Sequence, residues 1–163
     1  MNFRRWVTTA CLAAAFVSPL ANAKFTPEQV KAVYIYRIAS FVFWGADEQM
    51  NEISICAPDD EEVRDILTDI TKDKLIRNKP LNISNSGCDV LYITKKESLD
   101  LIKLNPNRTI SISDIQSFTE LGGVVELSTL GGRIKPRVNL ENVGEYTLSA
   151  NFLRVAEIVG GKQ

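Results

Sequence analysis

The sequence predicts an α/β fold: a three-layer sandwich in which a mainly parallel sheet is covered on both faces, with an antiparallel hairpin at one edge. Three observations carry this. Short apolar runs rich in β-favouring residues alternate with segments of helical spacing, the order that builds parallel strands through crossovers. Gly131-Gly132 separates two late runs of strand character and marks a hairpin turn. The chain has 163 residues and neither internal repeat nor low-complexity tract, which suits a single domain with one sizeable core.

In chain order, Thr26-Pro27-Glu28-Gln29 supplies an N-cap, a proline at the first helical position and a capping-box partner, and predicts a helix running to about Trp44-Gly45. Ile53 to Ala57 reads as a strand. Asp59 to Glu62 opens a second helix, whose Val63, Ile66, Leu67 and Ile70 keep helical spacing. Leu81 to Ile83 is a short strand and Asp89 to Thr94 a longer one. Glu97 to Leu104 is predicted helical and Thr109 to Ser113 extended. Asp114 caps a short helix through Phe118 that stops at Gly122-Gly123. Val124 to Leu127 and Arg133 to Asn139 form the hairpin, and helical segments near Leu140 to Tyr146 and Ser149 to Val159 close the chain.

Residues 1–23 set the compartment. Arg4 and Arg5 precede an apolar run from Ala10 to Val17, and the segment ends Ala21-Asn22-Ala23, the pattern of a secretory signal peptide cleaved before Lys24. The run is too short to span a bilayer. The expected mature product is therefore residues 24–163, a single domain in an oxidising space such as a bacterial periplasm. It carries 17 basic against 20 acidic residues, a net charge of −3, which gives no reason to expect nucleic acid as a partner.

The chain has no histidine, which removes the commonest general base and the commonest metal ligand together. There is no Gly-x-Ser-x-Gly, and turn chemistry accounts for the paired glycines, so neither catalysis, a metal nor a cofactor is expected. Ile55 to Asp60 resembles the acidic pair of a phosphoacceptor receiver, but that chemistry wants an Asp at the end of the middle strand. Here Asp89 begins that strand and Thr94-Lys95 ends it. Helix capping accounts for Asp59 instead.

Past the leader the only cysteines are Cys56 and Cys88, at predicted strand ends with 31 residues between them. In an oxidising space such a pair closes a disulfide, whose loop entropy is worth roughly 3.5 to 4 kcal/mol. Two buried free thiols form the alternative reading, and a redox-active pair, which favours Cys-x-x-Cys spacing, is a third.

Lys31 to Trp44, Ile53 to Cys56 and Cys88 to Ile93 resemble the YfiR family of periplasmic proteins. So do Thr109 to Asp114, Gly122 to Leu127, Val138-Asn139-Leu140 and Leu148 to Ala156, all in family order. The resemblance implies a Rossmann-like fold, a homodimer and a Cys56–Cys88 disulfide. It further implies a secreted inhibitor that binds the periplasmic sensor domain of an inner-membrane diguanylate cyclase, lowering cyclic di-GMP and biofilm formation, with an outer-membrane lipoprotein as a sequestering partner. The chain departs from the family at Pro136-Arg137, where an aromatic often stands, and it lacks the second cysteine pair of some members.

Two surfaces stand out independently. The first helix carries a core stripe of Val30, Val33, Tyr34, Ile38, Phe41 and Val42, yet Ile35, Tyr36, Phe43 and Trp44 add apolar surface on other sides. Either the helix lies in a deep groove of its own domain, or Tyr36, Phe43 and Trp44 reach a partner or dimer surface. On the hairpin, alternation sends Arg133, Lys135 and Arg137 to one face. One reading is a solvated edge strand guarded by charge and proline. The other is an anion or ligand site that includes Glu126 and Arg37, which suits a small-ligand sensing domain for an anionic or aromatic molecule.

Overall fold

The computed structural model describes residues 24–161, so the signal peptide read in residues 1–23 lies outside them. Helix α1 (Pro27–Ser40) starts as predicted. Thr26 Oγ1 accepts from the Gln29 amide at 3.2 Å while the Thr26 amide donates to Gln29 Oε1 at 2.9 Å. It ends sooner than predicted. Phe41 caps it, and Val42–Trp44 is a strand, β1, because its branched and aromatic side chains gain an extended partner late in the chain.

Strand β2 (Ile53–Cys56) leads to helix α2 (Glu61–Thr71), and a hairpin joins β3 (Leu75–Ile76) to β4 (Lys79–Ser84). Strand β5 (Val90–Ile93) is followed by 3-10 turns over Lys96–Lys103 where an α-helix was predicted, then by β6 (Ile110–Ser113). The segment from Asp114 to Gly122 is a series of turns and bends, not a helix. Strands β7 (Val125–Leu130) and β8 (Arg133–Asn139) make the predicted hairpin. A 3-10 turn at Leu140–Asn142 precedes β9 (Tyr146–Leu148), and the last predicted helix divides into α3 (Ala150–Val155) and strand β10 (Glu157–Val159).

Eight strands form the main sheet in the order β10-β8-β7-β6-β5-β2-β4-β3, parallel except for the β7–β8 and β3–β4 pairs. A separate antiparallel pair, β1 with β9, aligns Val42 with Leu148 and Trp44 with Tyr146. The hairpin does not end the sheet. Strand β10 adds to β8 in parallel over Arg137–Asn139, leaving Arg133–Pro136 as the part of β8 unpaired on that side.

Alternation divides the core between the two faces. Ile53, Ile55, Val90, Tyr92, Ile110, Ile112, Val125 and Val138 point toward α1 and α2 and join the larger core, which also takes in Trp44, Tyr146 and Phe152. Cys56, Leu91 and Ile93 point the other way and pack with Ile115 and Phe118 under the 3-10 turns. Gly123 is required there, since a Cβ at that position would overlap the Phe118 ring.

The chain between β4 and β5 decides how the sheet closes. Both strands run parallel to β2, one on each side of it, so residues 85–89 must cross β2 in five residues, with Gly87 at φ 65°. Parallel connections ordinarily take a dozen or more residues. The crossing is fixed twice. Cys88 bonds to Cys56 with a Cα–Cα distance of 5.7 Å, and the buried Asp89 carboxylate accepts from the Ser54 amide at 2.9 Å and from Arg108 Nε at 3.0 Å.

Three groups at least partly buried are held above their ordinary values, and on the surface Lys103 holds the Asp100 carboxyl below its own. Desolvation pushes the Tyr146 hydroxyl up to about 12, and desolvation, aided by the Asp114 charge, takes Tyr92 well above the ordinary value. Burial opposes the charge of Lys31, but Asp114, 2.8 Å away, with Glu28 and Asp60 beyond it, holds its pKa above the usual lysine range.

Two outcomes are expected. Non-reducing mass spectrometry of the purified protein yields a peptide linking Cys56 to Cys88, and Cys88→Ala lowers the unfolding free energy by about 2 to 5 kcal/mol. Each of the three raised groups favours the fold below its unfolded pKa, and that contribution is lost as pH rises through the folded one. Urea unfolding followed against pH therefore shows stability falling above the ordinary tyrosine value of 10, and Tyr146→Phe makes the fall shallower between there and about 12.

Candidate functional site

The two surfaces singled out in the sequence meet in part. Along one side of α1 lies a groove of about 540 Å³ closed by β8 and α3, lined by Val33, Tyr34, Phe41, Phe152 and Val155 with Arg37 and Lys135 among them. Tyr34 pins the helix to the strand, its hydroxyl donating to the Ile134 carbonyl at 3.0 Å. At the groove's end Phe41 and Phe152 stack with centroids 5.8 Å apart and planes 10° from parallel. Val33 is 39% exposed and Val155 66%, so the walls hold aliphatic surface that none of the described residues covers. Arg37 is exposed in the last turn of α1, where the helix dipole favours a cation.

The aromatic trio separates. Phe43 is 44% exposed, with the Arg77 guanidinium 4.7 Å above its ring. Tyr36 is half-buried against the larger core. Trp44 faces inward on β1, only 4% exposed, and its indole N–H donates to the Arg108 carbonyl at 2.8 Å. In the single chain it is a core residue and not a surface anchor, because alternation along β1 sends Val42 and Trp44 in and Phe43 out. Arg77 holds this end of α1 in place. It pairs with Asp47 at 2.9 Å and donates to the Ser40 and Val42 carbonyls at 3.3 and 2.8 Å.

The cationic strand is largely neutralised from within. Glu126 is buried at 4% exposure and stands in register with Arg137, whose Nη1 lies 3.3 Å from both carboxylate oxygens. Arg137 and Lys135 also reach Glu157 on β10, at 3.5 and 3.7 Å. Glu126 is thus the counter-ion that lets Arg137 pack, and the two do not line a hollow with Arg37. Of the five residues read as a possible anion site, Arg37 and Lys135 share the groove, while Arg133 stands exposed near the hairpin turn.

The acidic run after β2 is also spent internally. Asp60 caps α2, accepting from the Val63 amide at 3.0 Å. Asp59 takes a different part from the expected cap, accepting from the Thr94 and Lys95 amides at 3.1 and 2.9 Å and so joining the ends of β2 and β5. Among the described residues no three His, Cys, Asp or Glu side chains converge as a metal site. A hollow of about 830 Å³ lies between the end of α2 and the β3–β4 hairpin and mixes Asp69 and Asp73 with Lys72 and Lys74, without bias of sign.

Compared with known protein families, residues 28–157 match the family described as YfiR/HmsC-like. The chain belongs to that family. Its members are periplasmic regulators of diguanylate cyclase, and the family is regulatory, not catalytic. The match runs from the first turn of α1 to the start of β10, so it takes in every wall of the groove. Comparison with curated proteins returns no match.

Sequence reasoning missed the α3 wall. Phe152 and Val155 sit three apart in a segment of six helical residues, too short for periodicity to reveal a face, and only the β1–β9 pair brings them to Phe41. The opposite burial of Phe43 and Trp44 has a direct test. Phe43→Ala leaves the thermal midpoint near that of the parent, whereas Trp44→Ala costs about 3 to 5 kcal/mol and shifts the denaturant midpoint accordingly.

Proposed function

We propose that the protein is a periplasmic repressor that binds the sensor domain of an inner-membrane diguanylate cyclase and holds it inactive, lowering cyclic di-GMP and biofilm formation. It acts after removal of residues 1–23, without catalysis or cofactor, as a homodimer, and an outer-membrane lipoprotein sequesters it when the cyclase is to be released. Family membership supports the regulatory class. The observation that carries the reading on this chain is the uncovered groove along α1, apolar in floor and walls and edged by Arg37 and Lys135, together with exposed Phe43 at the end of the same helix. Aromatic and arginine side chains on rigid elements are what concentrates binding energy at protein interfaces.

The contact surface we assign runs from the groove past Phe43, with Tyr36 on the flank of α1 and Trp44 supporting it from inside. Repression by occupancy requires tighter binding to the inactive than to the active cyclase, since a ligand shifts an equilibrium only by its difference in affinity. A second reading, sensing of a small anionic or aromatic molecule, draws on the groove's volume of about 540 Å³, within the range of ligand sites.

Deletion of the gene is expected to raise cyclic di-GMP, and a plasmid copy to restore it. A copy carrying Phe43→Ala with Arg37→Ala accumulates and melts as the parent does but fails to restore repression. Unchanged cyclic di-GMP on deletion refutes the regulatory role in this host. Full repression by the double variant moves the contact off this surface.

A further inference from the structure

The groove between α1, β8 and α3 has a charge bias that the chain as a whole lacks. Acidic residues outnumber basic ones 20 to 19 over the sequence, yet no groove-lining residue is acidic and two, Arg37 and Lys135, are cationic. Two more cations, Arg133 and Arg154, stand exposed on β8 and α3. Among the described residues Arg37 has no ion-pair partner, and Lys135 holds Glu157 at 3.7 Å with half its side chain in solvent. Such an exposed pair is worth little and is readily exchanged for another carboxylate.

The floor narrows the choice of occupant. Phe41, Phe152, Val33 and Val155 present aromatic and aliphatic surface continuous with the cations. A small inorganic anion would leave that surface wet. An uncharged apolar segment would cover it but strip water from Arg37 and Lys135 with nothing in return. A surface with both features is complementary to apolar side chains flanked by carboxylates.

We infer that the groove docks an acidic, apolar-faced segment of the regulated protein, its apolar side chains on Phe41, Phe152 and Val155 and its carboxylates toward Arg37 and Lys135. The inference rests on the regulatory reading above and adds to it the chemistry of the segment that is recognised.

The test places the photo-crosslinking residue p-benzoylphenylalanine at position 155, and in a second strain at position 43, in the full-length secreted protein expressed in a host deleted for the chromosomal copy. Crosslinked peptides are mapped by mass spectrometry while cyclic di-GMP is measured in the same cells. The expected product from position 155 is a partner segment in which Asp or Glu interleaves with apolar residues. Its yield falls about tenfold or more in the Arg37→Glu, Lys135→Glu double variant, since like charges then face each other. Arg37→Gln with Lys135→Gln loses less, and both double variants keep the parent's melting point. Crosslinks from position 43 alone, or to a segment without carboxylates, with repression intact, overturn the groove assignment and leave the regulatory reading standing. Cyclic di-GMP that does not respond to deletion ends that reading separately, whatever the crosslinks show. Native mass spectrometry that finds an organic acid held by the parent and lost from the charge-reversed variant, with no crosslink from position 155, overturns the docked segment in favour of a small ligand.

Discussion

The architecture turns on a connection that is too short. Two strands on opposite sides of β2 are joined by residues 85–89, and so brief a passage over a strand leaves its backbone with little regular hydrogen bonding of its own. Its hold on β2 comes from a covalent bond, a backbone bond and a buried carboxylate: Cys88 to Cys56, the Asp89 amide to the Ser54 carbonyl at 2.9 Å, and the Asp89 side chain to the Ser54 amide and Arg108. From Arg108 the path continues inward, for its carbonyl receives the Trp44 indole and so anchors β1, which carries Phe43 to the surface and receives β9. The groove wall thus depends, through this chain of contacts, on the packing of the crossing loop.

Strand order explains why the functional surface lies beside α1. With β4, β2, β5, β6 and β7 adjacent in that order, the chain reverses direction across the sheet at β2 and β5, the place where doubly wound folds commonly open a crevice for ligands at the carboxyl ends of their strands. Here the chain's own side chains span that place. Asp59 occupies both loop amides after β5, and Lys31 from α1 reaches Asp114 after β6 at 2.8 Å. What remains open is the flank of the same helix.

Much of this was legible in the sequence where local rules act alone. The capping box at Thr26, the strands of β-branched residues through the sheet centre and the glycine hairpin all follow from nearest-neighbour chemistry, and the structure contains them. The strands read as helix, Val42–Trp44 and Glu157–Val159, have three residues each, as does Tyr146–Leu148, of which only Tyr146 had been placed in a helix. Three residues are too few to display a period of two, and each owes its extended form to a partner at least 20 positions away or across the hairpin. The site was visible to the same degree. Arg37 and Lys135 were found by counting charges along their elements, but Trp44 was assigned outward because a helix would have placed it there, and one residue's change of secondary structure reversed its face. Glu126 and Arg137 could be paired by register, whereas Glu157 could not, since β10 was not foreseen.

The cysteine arrangement has a consequence for how the molecule is made. Beyond residue 23 the chain holds two cysteines, so oxidation has a single intramolecular outcome, whereas four would allow three pairings and a search among them. Within residues 24–163 no wrong bridge can form, and there an isomerase has nothing to correct. Closing the bond then needs only an oxidant that acts once residue 88 is accessible. The yield of correctly crossed sheet is set by how soon that encounter comes relative to association of exposed strands with other chains.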